Sequence, residues 1–247
     1  MKRDVTLIAL NDSETLVLAS DNSGGIGLKD MDMVKTPYDV VAYYGFRVAV
    51  MECIASGGAP ISVILHNFCG DDPWKDLVCG IEKGLQELGL TNIPITGSTE
   101  SNFSLLQSAL GMIVIGKRDR VIPEETILLD QLKFAVIGSP LVGEEVLNKV
   151  GEVLPLSLFQ LLCRLDHVVI LPVGSKGVLH ELKIMLGEEG LSDSSITCEV
   201  DLLKTSGPST CILIAFPPAL ESTIRKQASK LYHPLTWCQA LQKDNCP

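Results

Sequence analysis

Three carboxylates stand where regular elements of the chain end. Asp21 follows the apolar run TLVLAS, Glu52 lies near the end of a long apolar segment, and Glu100 sits in PITGSTESN. Two glycine turns accompany them, SDNSGGIGLKDMD over residues 20–32 and the turn at Gly97. Singly, each acid has an ordinary reading: Asp21 as a turn former, Glu52 as an exposed helix residue, Glu100 as a loop charge. Together they suggest one acidic, backbone-lined cavity for magnesium and a triphosphate. Carboxylates supply hard oxygen ligands, and glycine lets backbone amides approach phosphate oxygens that a side chain would block.

Other phosphate motifs fail on their own residues. The first loop reads GGIG, not the dinucleotide pattern GxGxxG. GMIVIGKR at 111–118 nearly matches the Walker pattern, but Arg118 replaces the required hydroxyl and MIVI reads as a strand. A protein-kinase glycine loop lacks its lysine and catalytic-loop partners. None of the eight cysteines (53, 69, 79, 163, 198, 211, 238 and 246) forms a CxxC pair, and several fall inside apolar patterns. They read as reduced core thiols, with no zinc site expected.

The elements that must position the acids are legible in order. LIAL and TLVLAS flank NDSE as a hairpin. VVAYYGFRVAVMECIA, apolar on nearly every side, predicts a helix buried between layers from Tyr38 to about Ser56, ended by GGAP. ISVILHNF is the next strand. Asp72 then suits an N-cap with Pro73 at the first helical position, and Trp74, Leu77, Val78, Ile81, Leu85 and Leu88 recur at helical spacing. Short extended segments follow at 93–96 and 110–115. The charged stretch KRDRVIPEE marks a boundary near residue 120, giving domains 1–120 and 121–247. The second half carries strand KFAVIG, helical segments over 143–164, strand HVVILPV, helix KGVLHELKIML, strand TCILIAF and a closing helix. Strands and helices interleave in both halves, which predicts two α+β or α/β lobes.

A net charge of −10 over 247 residues leaves no basic face for nucleic acid. No run approaches the ~18 apolar residues of a membrane span, and the N-terminus is too short for a secretory apolar region. A cytoplasmic protein is expected.

With these residues in place, the sequence resembles the aminoimidazole ribonucleotide synthetase-like (PurM-like) ATP-binding superfamily. ECIASGGAP is similar to that family's helix ending, in which an aspartate stands eight residues before a proline; Glu52 holds the aspartate's place. SDNSGGIGLK resembles the family's acidic loop after the second strand, and PITGSTES its later GGDT-type segment. VVILPVGSKGVLHEL and SGPSTCILIAF resemble, more loosely, a glycine-turn-then-helix segment and the last core strand. The resemblance spans roughly residues 4–220. It implies an N-terminal sheet domain that pairs into a dimer barrel, plus a C-terminal α/β domain. It also implies ATP with Mg2+ in place of any Walker loop.

On that resemblance Asp21, Glu52 and Glu100 are the metal acids. Asp21, Asn22, Gly24, Gly25, Gly97, Ser98, Thr99 and Glu100 would line the nucleotide. Lys29 either offsets charge on the transferred phosphoryl group or is a solvated loop lysine. His66 and Asp71 would contact the acceptor or supply a base, the alternatives being a core histidine and a helix cap. The combination DNSGGIG, VVAYYGFRVAVMECIASGGAP, LHNFCGDD and PITGSTESNF looks most like the α-ribazole kinase branch, which phosphorylates the 5′-hydroxyl of a nucleoside salvaged for cobalamin. That reading implies a homodimer acting on a small nucleoside-like acceptor, with no membrane or nucleic-acid partner. Another ATP-dependent synthetase or kinase of the superfamily, or a non-catalytic ATP-binding sensor, are the rivals. No reactive cysteine precedes the first strand, as selenophosphate synthetase would require, and Cys246 in the polar DNCP tail is no clear match to the hydrogenase-maturation dehydratase.

Overall fold

A computed structural model describes residues 4–119, 131–189 and 191–237. The chain divides into two compact units: residues 2–126 with 155–164, and residues 127–154 with 165–247. The boundary expected near residue 120 lies outside the described residues.

The first unit is a sheet covered on one face by helices. The hairpin forms as expected, from β1 (Thr6–Ala9) and β2 (Glu14–Gly24). Two short strands, β3 (Ile26–Gly27) and β4 (Val34–Lys35), pair within the glycine loop. Then come α1 (Tyr38–Ala55), β5 (Ala59–Asn67), α2 (Trp74–Glu87), β6 (Ile95–Thr99) and β7 (Ala109–Asp119). The sheet order is β1-β2-β7-β5-β6, antiparallel except for the β5–β6 pair. β2 runs past Asp21 and Asn22 to Gly24, so those two residues are strand rather than loop. β6 likewise extends to Thr99, three residues beyond its expected end, and takes in Gly97 and Ser98. The hydrogen-bonding partners β7 and β5 extend both strands past the point where β-propensity fades.

Alternation assigns the faces. Val17, Ala19, Val63, Leu65, Met112 and Val114 are buried beneath the helices. α1 packs on β2 and β7, and α2 packs on α1. α1 carries no polar stripe, as its apolar sequence requires, and it buries Phe46, Ala49, Val50 and Cys53. Close α1–α2 approach is enforced by Gly80, where a side chain would collide with the Asp39 carbonyl. Pro73 rather than Asp72 precedes the first residue of α2, and no side chain caps that helix; the Trp74 amide donates instead to the Asp71 carbonyl. α4 (Leu156–Cys163) belongs to this unit although it comes late in the chain. It packs on α1 and α2, and the Gln160 amide donates to the Leu88 carbonyl at 3.0 Å.

The opposite face of this sheet has no covering layer among the described residues. Leu16, Leu18, Ile64, Ile113 and Ile115 are half-buried there, with Ile8 exposed at the edge.

The second unit contains β8 (Lys133–Ile137), a short α3 (Glu144–Asn148), β9 (Val169–Pro172), α5 (Gly177–Leu186) and β10 (Ile196–Thr197). β11 (Ile212–Phe216), α6 (Glu221–Ala228) and β12 (Tyr232–Trp237) complete it. Its order is β10-β12-β8-β11-β9. Every pairing is antiparallel, whereas an α/β domain was expected. The closing helix is followed by β12, a strand that HPLT conceals: proline and histidine depress strand propensity, and pairing with β8 supplies the difference. α5 packs Leu179 and Leu182 against Leu171, Leu213 and Ala215. Cys53, Cys69 and Cys211 are buried free thiols as expected, but Cys79 lies exposed on α2; Cys238 and Cys246 lie outside the described residues.

Candidate functional site

Three loops of the first unit meet at one end of its sheet: the glycine loop after β2, the loop after β5 and the loop after β6. Asp32 is the hub of the first. Its buried carboxylate accepts the Lys29 amide at 2.8 Å, the Ser108 amide at 2.7 Å and the Ser108 hydroxyl at 2.6 Å. Burial works against the charge, but the hydrogen bonds from Ser108 and then from Lys29 prevail and hold its pKa below the ordinary value. Tyr38, at the start of α1, closes the network through its hydroxyl, 3.0 Å from that of Ser108. Gly25 adopts φ +72 and donates its amide to the Ser108 carbonyl at 2.8 Å, a turn that a residue with a Cβ resists.

Lys29 is the tie between loops. Its amine donates to the carbonyls of Leu105 (3.0 Å) and Phe68 (3.3 Å), one from each of the other two loops. These bonds tie the Lys29 amine to the backbone of both neighbouring loops. Lys35 similarly donates to the carbonyls of Lys29 and Asp30.

Asn67 joins the remaining two loops. Its side-chain amide donates to the Gly70 carbonyl and the Thr99 hydroxyl, its side-chain oxygen accepts the Cys69 amide, and its carbonyl accepts the Glu100 amide at 2.8 Å. Glu100 and the exposed Asp71 are therefore carried on adjoining loops. The Glu100 carboxylate accepts the amides of Asn102 (2.7 Å) and Phe103 (3.2 Å), which fixes the turn that follows it.

Asp21 occupies a different position. It shares a face with Val17 and Ala19 and points at α1, where a Cβ on Gly45 would come 3.8 Å from its Oδ2. Burial, opposed only by the Asn22 amide, raises its pKa to about 7. No cation pairs with it among the described residues. A desolvated carboxylate without a counter-charge, backed by a glycine, is a fitting donor for a hard divalent cation.

The other expected ligands do not converge on that carboxylate. Asp21 stands opposite Met112, Met112 opposite Leu65, and Leu65 beside Gly97. Three strand spacings thus separate Asp21 from Gly97, roughly 14 Å. Glu52 lies seven residues along α1 from Gly45, roughly 10 Å up the helix axis. Among the described residues no three His, Cys, Asp or Glu side chains are close enough to hold one ion. Sequence order could not reveal this, because the spread comes from β7 inserting between β2 and β5.

The remaining candidates divide between faces. Asn22, Gly111, His66 and Ser98 form one row across the sheet, one position on from Asp21 and therefore on the uncovered face. Ser23, Leu110, Asn67 and Thr99 form the next row, on the helical side. Gly24 has open space around it. Gly97 does not: a Cβ there would sit 1.8 Å from the Leu65 carbonyl, so β5 alone accounts for that glycine. Sequence reasoning missed the Asp32–Ser108–Tyr38 network and the fully buried Arg47 of α1. The guanidinium of Arg47 is depressed in pKa by burial and supported by Tyr43, Tyr44 and Glu87. Asp32 stood within the first glycine segment; its partner Ser108 carried no signal.

No family model matches the sequence, and no curated protein matches it. Solved structures do. The Thermotoga maritima PurL structure complexed with ADP aligns over 95% of this chain and 42% of its own, with TM-score 0.58 and 12% identity. A chain of a HypE–HypF complex aligns over 95% of this chain and 87% of its own, with TM-score 0.60 and 11% identity. Thiamine monophosphate kinase from Aquifex aeolicus aligns over 87% and 83%, with TM-score 0.55 and 10% identity. The fold is PurM-like. The chain spans less than half the length of PurL and most of the length of the other two. No described helix is long and apolar enough to cross a membrane.

Proposed function

We propose that this protein is a Mg2+-dependent phosphotransferase that moves the γ-phosphoryl group of ATP to a hydroxyl of a small nucleoside-like acceptor, α-ribazole being the first candidate. The observation that carries this reading is the desolvated Asp21 carboxylate at the loop-bearing end of a PurM-like sheet. The ATP- and ADP-complexed PurL structures and thiamine monophosphate kinase, which have this fold, support the nucleotide. Bound magnesium would supply charge neutralisation on the triphosphate. Asp21 would hold one cation from the helical side, and Glu100 would meet the nucleotide separately, with Gly24, which has open space beside it, near phosphate. Lys29 is tied to the carbonyls of Phe68 and Leu105, and Glu52 lies further along α1, so neither is a first choice. His66, beside Ser98 and in one row with Asn22 on the open face, would meet an acceptor only from that face. The half-buried Ile and Leu residues of the same face suit pairing with a second copy, which supports a homodimer.

The test is incubation of the purified chain with ATP, magnesium and α-ribazole, read by mass spectrometry. A product one phosphoryl group heavier, absent with Asp21→Ala, supports the reading; ATP binding without product over an acceptor panel overturns the kinase assignment. The second reading, a non-catalytic nucleotide-binding protein, draws on the separation of the three acids and the engagement of Lys29. It predicts the latter result.

A further inference from the structure

Asn67 is the last residue of β5 and only 1% exposed, too buried to meet a ligand itself. Its side chain is nonetheless fully engaged. The side-chain oxygen accepts the Cys69 amide at 2.8 Å, and the side-chain nitrogen donates to the Gly70 carbonyl at 2.7 Å and to the Thr99 hydroxyl at 3.2 Å. The first two bonds decide which way the amide group is turned. A backbone N–H can only donate and a carbonyl can only accept, so the oxygen faces Cys69 and the nitrogen faces Gly70. The second N–H of that nitrogen then points at Thr99, which has to act as acceptor. A hydroxyl carries one proton and two lone pairs. With a lone pair committed to Asn67, the Thr99 oxygen keeps its proton for another acceptor, and no described residue supplies one. Thr99 is half-buried at the loop-bearing end of the sheet, and beside it the Glu100 amide is held by the Asn67 carbonyl at 2.8 Å.

We propose that Asn67 is a positioning residue, which locks the Thr99 hydroxyl as a donor to an anionic oxygen of the ligand, a phosphate oxygen of ATP. The word phosphate rests on the kinase reading of this site, whereas the donor polarity of Thr99 follows from the bonds that Asn67 makes. A hydroxyl free to rotate would lose orientation on meeting a ligand; one already accepting from a buried amide is held with its proton outward. The same geometry says why the amide matters and its shape does not. A carboxylate at position 67 could still accept the Cys69 amide. Its other oxygen would face the Gly70 carbonyl and draw the Thr99 proton inward, which reverses the bond.

The test is calorimetric binding of ATP in magnesium to the full chain and to Thr99→Val, Thr99→Ser, Asn67→Asp and the Asn67→Asp/Thr99→Val double variant, with circular dichroism to show that each is folded. Thr99→Val keeps the shape without the hydroxyl and is expected to weaken binding about tenfold, and Thr99→Ser to recover most of that loss. Asn67→Asp is expected to weaken binding about as much, and Thr99→Val to add little to it. A purely structural role for Asn67 would instead give losses that multiply in the double variant and no recovery with serine. Undiminished binding by Thr99→Val, or multiplied losses, overturns the proposal; where Asn67→Asp does not fold, the valine and serine variants decide. These outcomes are separable from those of the kinase reading. Undiminished ATP binding by Thr99→Val together with wild-type transfer to an acceptor overturns this proposal and supports that reading. A serine-recovered loss without transfer to any acceptor does the reverse, and a wild-type chain that binds no ATP overturns both.

Discussion

Replacing Asp21 by asparagine should stabilise the ligand-free protein in base and abolish the gain that ligand brings. The carboxylate titrates at about 7 in the fold against 3.8 as a model value, because burial disfavours its charge. A raised acid contributes stability that is fully present below the unfolded pKa and is lost as pH rises through the folded one. Three units at ~1.4 kcal/mol each set a ceiling of roughly 4 kcal/mol above neutrality; water reaching one side of the group brings the expectation to about 1–3 kcal/mol. Asparagine keeps the shape and removes the charge. Urea unfolding at about pH 5 and about pH 8.5 should therefore show the two proteins closer in stability at the lower pH, with the variant ahead by about 1–3 kcal/mol at the higher.

The same substitution separates stability from function. Saturating ATP and magnesium should raise wild-type stability by about 2.7 kcal/mol at a hundred times Kd, and should raise that of the variant by much less. Two results would refute the reasoning. A variant weaker than wild type at about pH 8.5 would mean that the charge is compensated in the fold. A difference that does not change with pH would mean that Asp21 does not titrate in the range assigned.

Other expectations follow from single distances. Gly97→Ala places a Cβ against the Leu65 carbonyl and should cost about 2–4 kcal/mol in urea unfolding, with or without nucleotide. Ser108→Ala removes the hydroxyl from Asp32 and Tyr38; a loss of about 1–3 kcal/mol is expected, with faster hydrogen exchange at the Gly25 and Met33 amides. Because Asp32 has a lowered pKa, the wild-type network contributes above the ordinary aspartate value and is lost as pH falls through the lowered one, so the Ser108→Ala defect should shrink in acid. Gly45→Ala meets only ordinary contacts and should gain about 0.5–1 kcal/mol through helix propensity, while pushing the Asp21 titration further up. Among the described cysteines, thiol labelling at neutral pH should reach the exposed Cys79 early and spare Cys53, whose thiol burial pushes up to about 12.

The helices and most strands of the fold were legible because their signals are local. The run of α1, apolar on nearly every side, pointed to a buried helix, and the spaced Leu77, Ile81, Leu85 and Leu88 to a helix with one buried face. What failed was whatever depended on a partner strand. Neither the extension of β2 through Asp21 nor that of β6 through Thr99 is written in residues 20–24 or 95–99; each is paid out by the ladder beside it. β12 is the same case, a proline-bearing segment made strand by β8.

The site divides along the same line. Residue types put acids and glycines forward, but chemistry also needs faces and distances, and these are properties of strand order. One position of register sends Asp21 toward α1 and Asn22 to the open face. One inserted pair of strands, β7 and β5, separates the strand that carries Asp21 from the strand that Glu100 follows. The glycine at 97 illustrates the consequence: its sequence context suggests a phosphate, and the Leu65 carbonyl 1.8 Å from its missing Cβ explains it without one. Of the residues that sequence put forward, Asp21 is a desolvated carboxylate with no ion pair among the described residues. A cation at Asp21 is accordingly the element of the kinase reading to test before any acceptor is tried.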